Sequence, residues 1–307
     1  MSKEIPKIKG LCPLLVGGYM KKKQLIPLIL TCCILAGCGT QTKNRLQINK
    51  SHSTTTKSTE SSVIPSSSEE EKAKIDRSKE YVYKNNPNLT PVNYDSPALL
   101  GITEDAGVAY RDKLYFICDS PTYWMWPMGL LGGGKETKQI WTGPEGTQTL
   151  AYQSTYKILD PYDKKQKLIV DVVKEHKPEY IVIAMGVNGI SFMDEKAFTK
   201  EYTDLINKIQ TVSPYTNILC SSIYPITKAY KHWGSITNDT ITKANSWILK
   251  IAEDTGVHYI DTYSAIVDDD GQAKKELMMK DGLHPNEEGL KEILNYIRTH
   301  AYIPKKK

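Results

Sequence analysis

Five short apolar runs, separated by stretches of helical periodicity, restrict the fold of this chain more than any other feature. They are Leu114-Tyr115-Phe116-Ile117-Cys118, the weaker Lys138-Gln139-Ile140-Trp141, Tyr180-Ile181-Val182-Ile183-Ala184-Met185, Asn217-Ile218-Leu219-Cys220 and Val257-His258-Tyr259-Ile260. None alternates clearly between polar and apolar residues, a pattern that suits strands covered on both faces. Between the third and fourth runs, Phe198, Tyr202, Leu205, Ile206 and Ile209 fall on one helical face, with Asp194 placed to cap it and Pro214 just past its end. Ile241, Ala244, Trp247, Ile248 and Ile251 repeat the spacing before the fifth run. Leu290, Ile293, Leu294 and Ile297 repeat it in a last helix, with Asn286 as N-cap and Glu287 and Glu288 complementing the dipole. Strands alternating with helices imply right-handed crossovers and a parallel sheet sandwiched between helices. In such sheets, sites form beyond the carboxyl ends of the strands, so the polar residues that follow each run are the ones to inspect.

The 307 residues carry a formal charge of +5, but residues 1–37 alone hold six lysines against Glu4. The remainder is neutral and lacks a basic stripe, which argues against counterion-driven nucleic-acid binding. Only one stretch could contact a bilayer, so a polytopic membrane protein is excluded. Met20 is followed by Lys21, Lys22 and Lys23, an apolar run from Leu25 to Leu35, and Leu35-Ala36-Gly37-Cys38. A charged start, a short apolar run and small residues before a cut form a secretory signal, too short to be an ordinary spanning helix. The segment resembles a bacterial lipoprotein signal peptide, which implies acylation of Cys38 and anchoring at the extracytoplasmic face of the cell membrane. Residues 1–19 read as lying upstream of a true start at Met20.

From Ser51 to Ser68, 12 of 18 residues are Ser or Thr, followed by three glutamates. This composition cannot bury enough surface to offset its ordering entropy and reads as a tether. The expected organisation is a signal over 1–37, a lipidated and disordered segment over 38–94, and one globular domain over 95–307. With Cys38 acylated, only Cys118 and Cys220 could pair after the cut. Each ends a strand-like run, and two buried thiols are expected in place of a bridge.

Four polar segments follow strand ends or precede the last helix. Asp119-Ser120 puts a hydroxyl at the sheet's carboxyl edge. Thr142-Gly143-Pro144-Glu145-Gly146 offers backbone that a ligand can approach. Gly186-Val187-Asn188-Gly189 brings an amide donor to the same edge. In Asp281-Gly282-Leu283-His284-Pro285, an Asp three residues before a His can hold one ring nitrogen while the other faces a serine as general base. Histidine suits that role because the residue type titrates near neutrality. Taken singly, each segment is equally a turn, a cap or a structural pair.

In this order, over roughly residues 110–300, the four segments resemble the blocks of the SGNH, or GDSL-like, hydrolase family. The resemblance implies a flavodoxin-like α/β/α sandwich with a five-stranded parallel sheet of order 2-1-3-4-5. It implies a serine esterase with Ser120 as nucleophile, His284 as base and Asp281 orienting it. An oxyanion hole would come from Ser120, Gly143 (or Gly146) and Asn188, with no metal or organic cofactor. The implied substrate is a small-molecule or glycan ester, with an acetyl group on a cell-surface glycan favoured; the oligomeric state is open. Two departures bear on efficiency and specificity: Cys118 stands where the family has Gly, and Gly189 where it has Asp. Competing readings are a non-catalytic glycan-binding lipoprotein on the same fold, an O-acyltransferase, a lipase-like enzyme, and Cys118 as nucleophile. Tyr123-Trp124-Met125-Trp126 reads as a sugar platform or as core. Asp268-Asp269-Asp270-Gly271 lacks the ligand spacing of a calcium loop and reads as a solvated turn. His176, His232, His258 and His300 have no setting comparable to that of His284.

Overall fold

The computed structural model describes residues 74–232 and 235–304. Residues 1–37, Cys38 and the Ser/Thr tract therefore lie outside the described residues. The chain enters through helix α1 (Glu80–Asn85) and α2 (Gly107–Arg111), then strand β1 (Leu114–Cys118), α3 (Ser120–Tyr123) and β2 (Ile140–Trp141). An antiparallel hairpin, β3 (Lys157–Leu159) and β4 (Gln166–Leu168), leads to α4 (Ile169–His176) and β5 (Tyr180–Ala184). There follow α5 (Glu195–Val212), β6 (Asn217–Ser221), α6 (Asn238–Thr255), β7 (His258–Ile260), α7 (Tyr263–Ile266) and α8 (Glu287–Thr299). No helix among the described residues is long and apolar enough to cross a membrane.

The main sheet has the order β2-β1-β5-β6-β7 with every pairing parallel. Counting only the five strands expected from the apolar runs, this is the order 2-1-3-4-5. Residues of each strand point alternately into two cores. Ile117, Ile181, Ile183, Ile218 and Cys220 pack with Phe198, Tyr202, Leu205, Ile206 and Ile209 of α5 and with α6. Phe116, Cys118, Val182, Leu219 and Ile260 pack with Leu290, Ile293, Leu294 and Ile297 of α8. Burying each such side chain contributes about 1.5–3 kcal/mol, which explains how a sheet of short strands holds two helical layers. The caps form as expected: Asp194 accepts the N–H of Ala197 at 2.8 Å, and Asn286 that of Gly289 at 3.0 Å.

Three features differ from the sequence expectation. The hairpin and α4 lie between the second and third runs, where the apolar pattern predicts no element, and the second strand is only Ile140–Trp141. The expected domain boundary at 95 falls inside the folded body, since Val82 and Leu89 are buried in the core beside α6. The Asp268–Asp270 turn receives this N-terminal segment. Tyr81 donates to Asp269 Oδ1 at 2.5 Å, while the Asn85 and Asn86 amides donate to the carbonyls of Asp269 and Asp270. Further along, Leu100 N–H donates to Tyr259 O and Tyr259 N–H to Ala98 O, so residues 98–100 cover the edge of β7 that would otherwise be open to pairing.

The third difference concerns the histidines. His176 Nε2 lies 3.0 Å from Asp160 Oδ2, and His300 Nε2 lies 3.5 Å from Asp76. His176 thus has an acidic partner that the sequence did not reveal, because the partner comes from the unexpected hairpin. Cys118 and Cys220 are buried free thiols, as expected.

Candidate active site

The parallel register delivers the four polar segments to one edge. β1 and β5 pair from Leu114↔Tyr180 to Cys118↔Ala184, so the chains after Cys118 and Ala184 emerge side by side. Asp119 sits there between β1 and α3 with its carboxylate buried. It does not cap α3. Its Oδ2 instead crosses to the neighbouring strand end and accepts the N–H groups of Gly186 (2.9 Å) and Val187 (3.0 Å). The loop that carries Asn188 is therefore oriented by Asp119, although Gly189 brings no carboxylate of its own.

Burial pushes the Asp119 carboxyl up to about 7, and the N–H donors of Gly186, Asn188 and Val187 only partly oppose the shift. The raised value means that ionising Asp119 destabilises the fold progressively as pH rises from the ordinary carboxylate range to about 7. The cost is on the order of 4 kcal/mol. Asp119→Asn keeps an acceptor oxygen but cannot ionise. Its melting temperature relative to wild type should therefore rise between pH 4 and pH 7; a difference that stays flat, or falls, across that window would show that the carboxyl is not shifted.

Ser120, the first residue of α3, is reached by the last loop. His284 Nε2 lies 2.9 Å from Ser120 Oγ, and His284 Nδ1 lies 2.7 Å from Asp281 Oδ2. The other carboxylate oxygen, Oδ1, accepts the backbone N–H groups of Leu283 (2.9 Å) and His284 (3.1 Å). Burial raises the Asp281 carboxyl, but the hydrogen bonds from the His284 ring and from these two N–H groups outweigh it and hold the group down at about 2. Asp281 is thus a fixed anion at neutral pH. Gly282 makes the turn possible: its φ is +74°, and a Cβ there would stand 2.4 Å from Thr227 Oγ1 and 2.7 Å from the Tyr230 nitrogen.

The two glycines after β2 have different surroundings. Gly146 has φ +76°, and a Cβ on it would lie 2.5 Å from Ser120 Cα, so only glycine allows this loop to pass the nucleophile. Its N–H is spent on Gly143 O at 3.1 Å. Gly143 faces Tyr156, and of the two it is the one whose N–H is not committed to that turn. Asn188 Nδ2 donates to Gln148 O at 3.0 Å and more weakly to Gly146 O at 3.4 Å, which ties the two loops together. Donating to an oxyanion would require giving up the longer contact. Thr122 Oγ1 and Tyr224 OH, 2.9 Å apart, close the floor behind α3.

Cys118 is fully buried in the core on the α8 side of the sheet, and burial raises its thiol well above the ordinary range. A protonated, enclosed thiol is a poor nucleophile, which disfavours Cys118 relative to Ser120. Away from this edge, Asp160, Glu175 and His176 offer three ligand atoms within 4.8 Å of one another. Lys167 Nζ stands 2.7 Å from Asp160 and 2.5 Å from Glu175, so an ammonium already supplies the countercharge a metal would bring.

Residues 151–291 match the model of the GDSL-like Lipase/Acylhydrolase family. This stretch of the chain is similar to that family. The GDSL-like match spans the Gly186–Asn188 and Asp281–His284 segments but begins after Ser120, so the nucleophile's place in the constellation comes from the geometry above. The relay of hydroxyl, imidazole and carboxylate fits the acylhydrolase chemistry that the family's name states. Among solved structures, the chain is similar to a GDSL-like lipase from Bacteroides thetaiotaomicron, at 16% identity over 72% of this chain and 95% of that one, with a TM-score of 0.43. It is also similar to a carbohydrate esterase family 3 protein from Talaromyces cellulolyticus, at 16% identity over 60% of this chain and 93% of that one, with a TM-score of 0.39. A third likeness is to a psychrotrophic esterase from Pseudoalteromonas, at 16% identity over 61% and 94%, with a TM-score of 0.40. Among curated proteins, none matches.

Two participants carry no distinct signal in the sequence. Asp119 looked like a helix cap, whereas its partners are backbone N–H groups 67 and 68 residues away, which no side-chain pattern could reveal. Trp124, in a run read as platform or core, has its ring against that of His284.

Proposed function

We propose that this chain is a serine esterase that removes short acyl groups, acetyl above all, from hydroxylated glycans at the cell surface. We further propose that it is held at the extracytoplasmic face by acylated Cys38. The reading is carried by the contact of Ser120 Oγ with His284 Nε2, continued by His284 Nδ1 to Asp281. Ser120 Oγ attacks the ester carbonyl and gives its proton to His284 Nε2. Asp281 holds the ring and stabilises the imidazolium. The oxyanion is met by the N–H groups of Ser120 and Gly143 and by the Asn188 amide, of which each donor supplies about 3 kcal/mol of transition-state stabilisation. Collapse breaks the carbon–oxygen bond to the alcohol, which leaves with the proton from Nε2. Water then attacks the acyl-serine by the same relay, releasing the acid and restoring Ser120.

The anchor and the tract between it and the domain place the enzyme within reach of surface polymers.

The test is covalent labelling of the full chain by a fluorophosphonate, followed by peptide mapping, with acetate release from purified cell-wall glycans measured in parallel. A tag on Ser120 and released acetate are expected. A tag on a thiol, or none, would overturn the serine mechanism; labelling of Ser120 without acetate release would overturn the glycan substrate while leaving the esterase.

A further inference from the structure

The relay does not by itself choose the alcohol half of the ester, but its geometry fixes where that half must lie. This inference rests on the esterase reading. When the tetrahedral intermediate collapses, His284 Nε2 has to protonate the departing alcohol oxygen, which must then be within hydrogen-bond reach of that nitrogen. Nδ1 is taken by Asp281, and Ser120 occupies one approach to Nε2. The rest of the alcohol therefore lies against whatever else flanks the imidazole.

One such neighbour is Trp124, whose ring centroid is 6.3 Å from that of His284 at an interplanar angle of 67°. Trp124 is the C-cap residue of α3, four positions beyond the nucleophile, and it is half-buried against the core on the α8 side. Tyr123 braces it edge-on at 6.0 Å and contacts Trp126 at 5.9 Å, so three aromatic rings adjoin in the segment that begins with Ser120. The indoles differ in one respect. Trp126 donates its N–H to Lys135 O at 2.7 Å, and Trp141 donates to Lys138 O at 3.0 Å. The Trp124 indole N–H has no protein acceptor among the described residues and is not sealed from solvent.

We propose that Trp124 is the residue that selects the leaving alcohol, favouring one that is a ring with an apolar face and a rim of hydroxyls, a pyranose, over a flexible alkyl alcohol. The sugar lies along the indole, and the free N–H donates to a ring hydroxyl. Such a contact acts on substrate choice, because it is made by the departing group and not by the acyl carbon.

The test compares two acetate esters with the full-length protein: a mono-O-acetylated methyl pyranoside and ethyl acetate. In wild type the sugar ester should have the higher kcat/KM. Trp124→Ala should lower the ratio of sugar to ethyl ester by about tenfold, chiefly through KM of the sugar ester. Trp124→Phe keeps a ring without the N–H and should restore most of the ratio, which also separates the effect from misfolding. If Trp124→Ala reduces both esters equally, Trp124 only packs against His284 and the proposal falls. If wild type prefers ethyl acetate, the proposal falls while the esterase stands. If wild type cleaves neither ester and Ser120 takes no fluorophosphonate, both fall.

Discussion

Ser120→Ala should reduce turnover of 4-nitrophenyl acetate by about 10⁴-fold or more while leaving the protein folded. The size follows because neither Cys118 nor Thr122, the nucleophile types flanking Ser120 among the described residues, is free to take over. Cys118 is two residues away, but its thiol is enclosed in the core and burial keeps it protonated. Thr122 has its hydroxyl committed to Tyr224 at 2.9 Å and is itself buried. What remains after the substitution is donor N–H groups without a group to form the acyl-enzyme, which sustains only residual catalysis. Stability should change little, since the lost contact to His284 is one hydrogen bond at a partly exposed position, worth about 1 kcal/mol. Steady-state kinetics with a matched thermal melt checks both halves. Activity within tenfold of wild type would remove Ser120 from the mechanism, and a collapsed melting curve would make the kinetic loss a folding effect.

The sheet and its long helices were legible in the sequence because each signal was local and repeated. β5 is buried at every position, so an uninterrupted apolar run marks it. α5 buries Phe198, Tyr202, Leu205, Ile206 and Ile209, so its period survives in the residue order. The His284 loop was legible because Asp281 and His284 are three residues apart and every residue between them has a local reason to be there. The hairpin was not legible: β3 buries only Ile158 of its three residues, which is no pattern at all. The N-terminal segment was missed for a related reason. Val82, between two tyrosines, and the isolated Leu89 show no helical or strand period, and what fixes the segment is a set of hydrogen bonds to the Asp269 and Asp270 turn some 180 residues later. The link between Ser120 and His284 spans 164 residues and could be read from the sequence only through the family pattern. The roles of Asp119 and Trp124 needed coordinates, because the partners they meet are set by strand register and by the return of the last loop.

Asp281→Asn should lower kcat by about 10⁴-fold, and the loop explains why an isosteric change should be so costly. In wild type the two carboxylate oxygens have separate duties: Oδ1 accepts from the N–H groups of Leu283 and His284, and Oδ2 faces His284 Nδ1 at 2.7 Å. Asparagine has one acceptor oxygen and one donor NH₂. The two backbone N–H groups claim the oxygen, because turning the amide over would leave both facing a donor. The NH₂ is then left pointing at Nδ1, which must become the acceptor, and the ring proton moves to Nε2. In that tautomer Nε2 presents a hydrogen to Ser120 and cannot take the hydroxyl proton. The hydrogen bonds that hold Asp281 down at about 2 keep the wild-type carboxylate ionised throughout the working range, so lowering the pH to 4 should not reproduce the mutant by protonating Asp281. Nitrogen NMR of the imidazole should find the proton on Nδ1 in wild type at alkaline pH and on Nε2 in Asp281→Asn. If kcat fell as expected while the ring kept its proton on Nδ1, the loss would have to come from charge alone, and the division of labour between the two oxygens would be wrong.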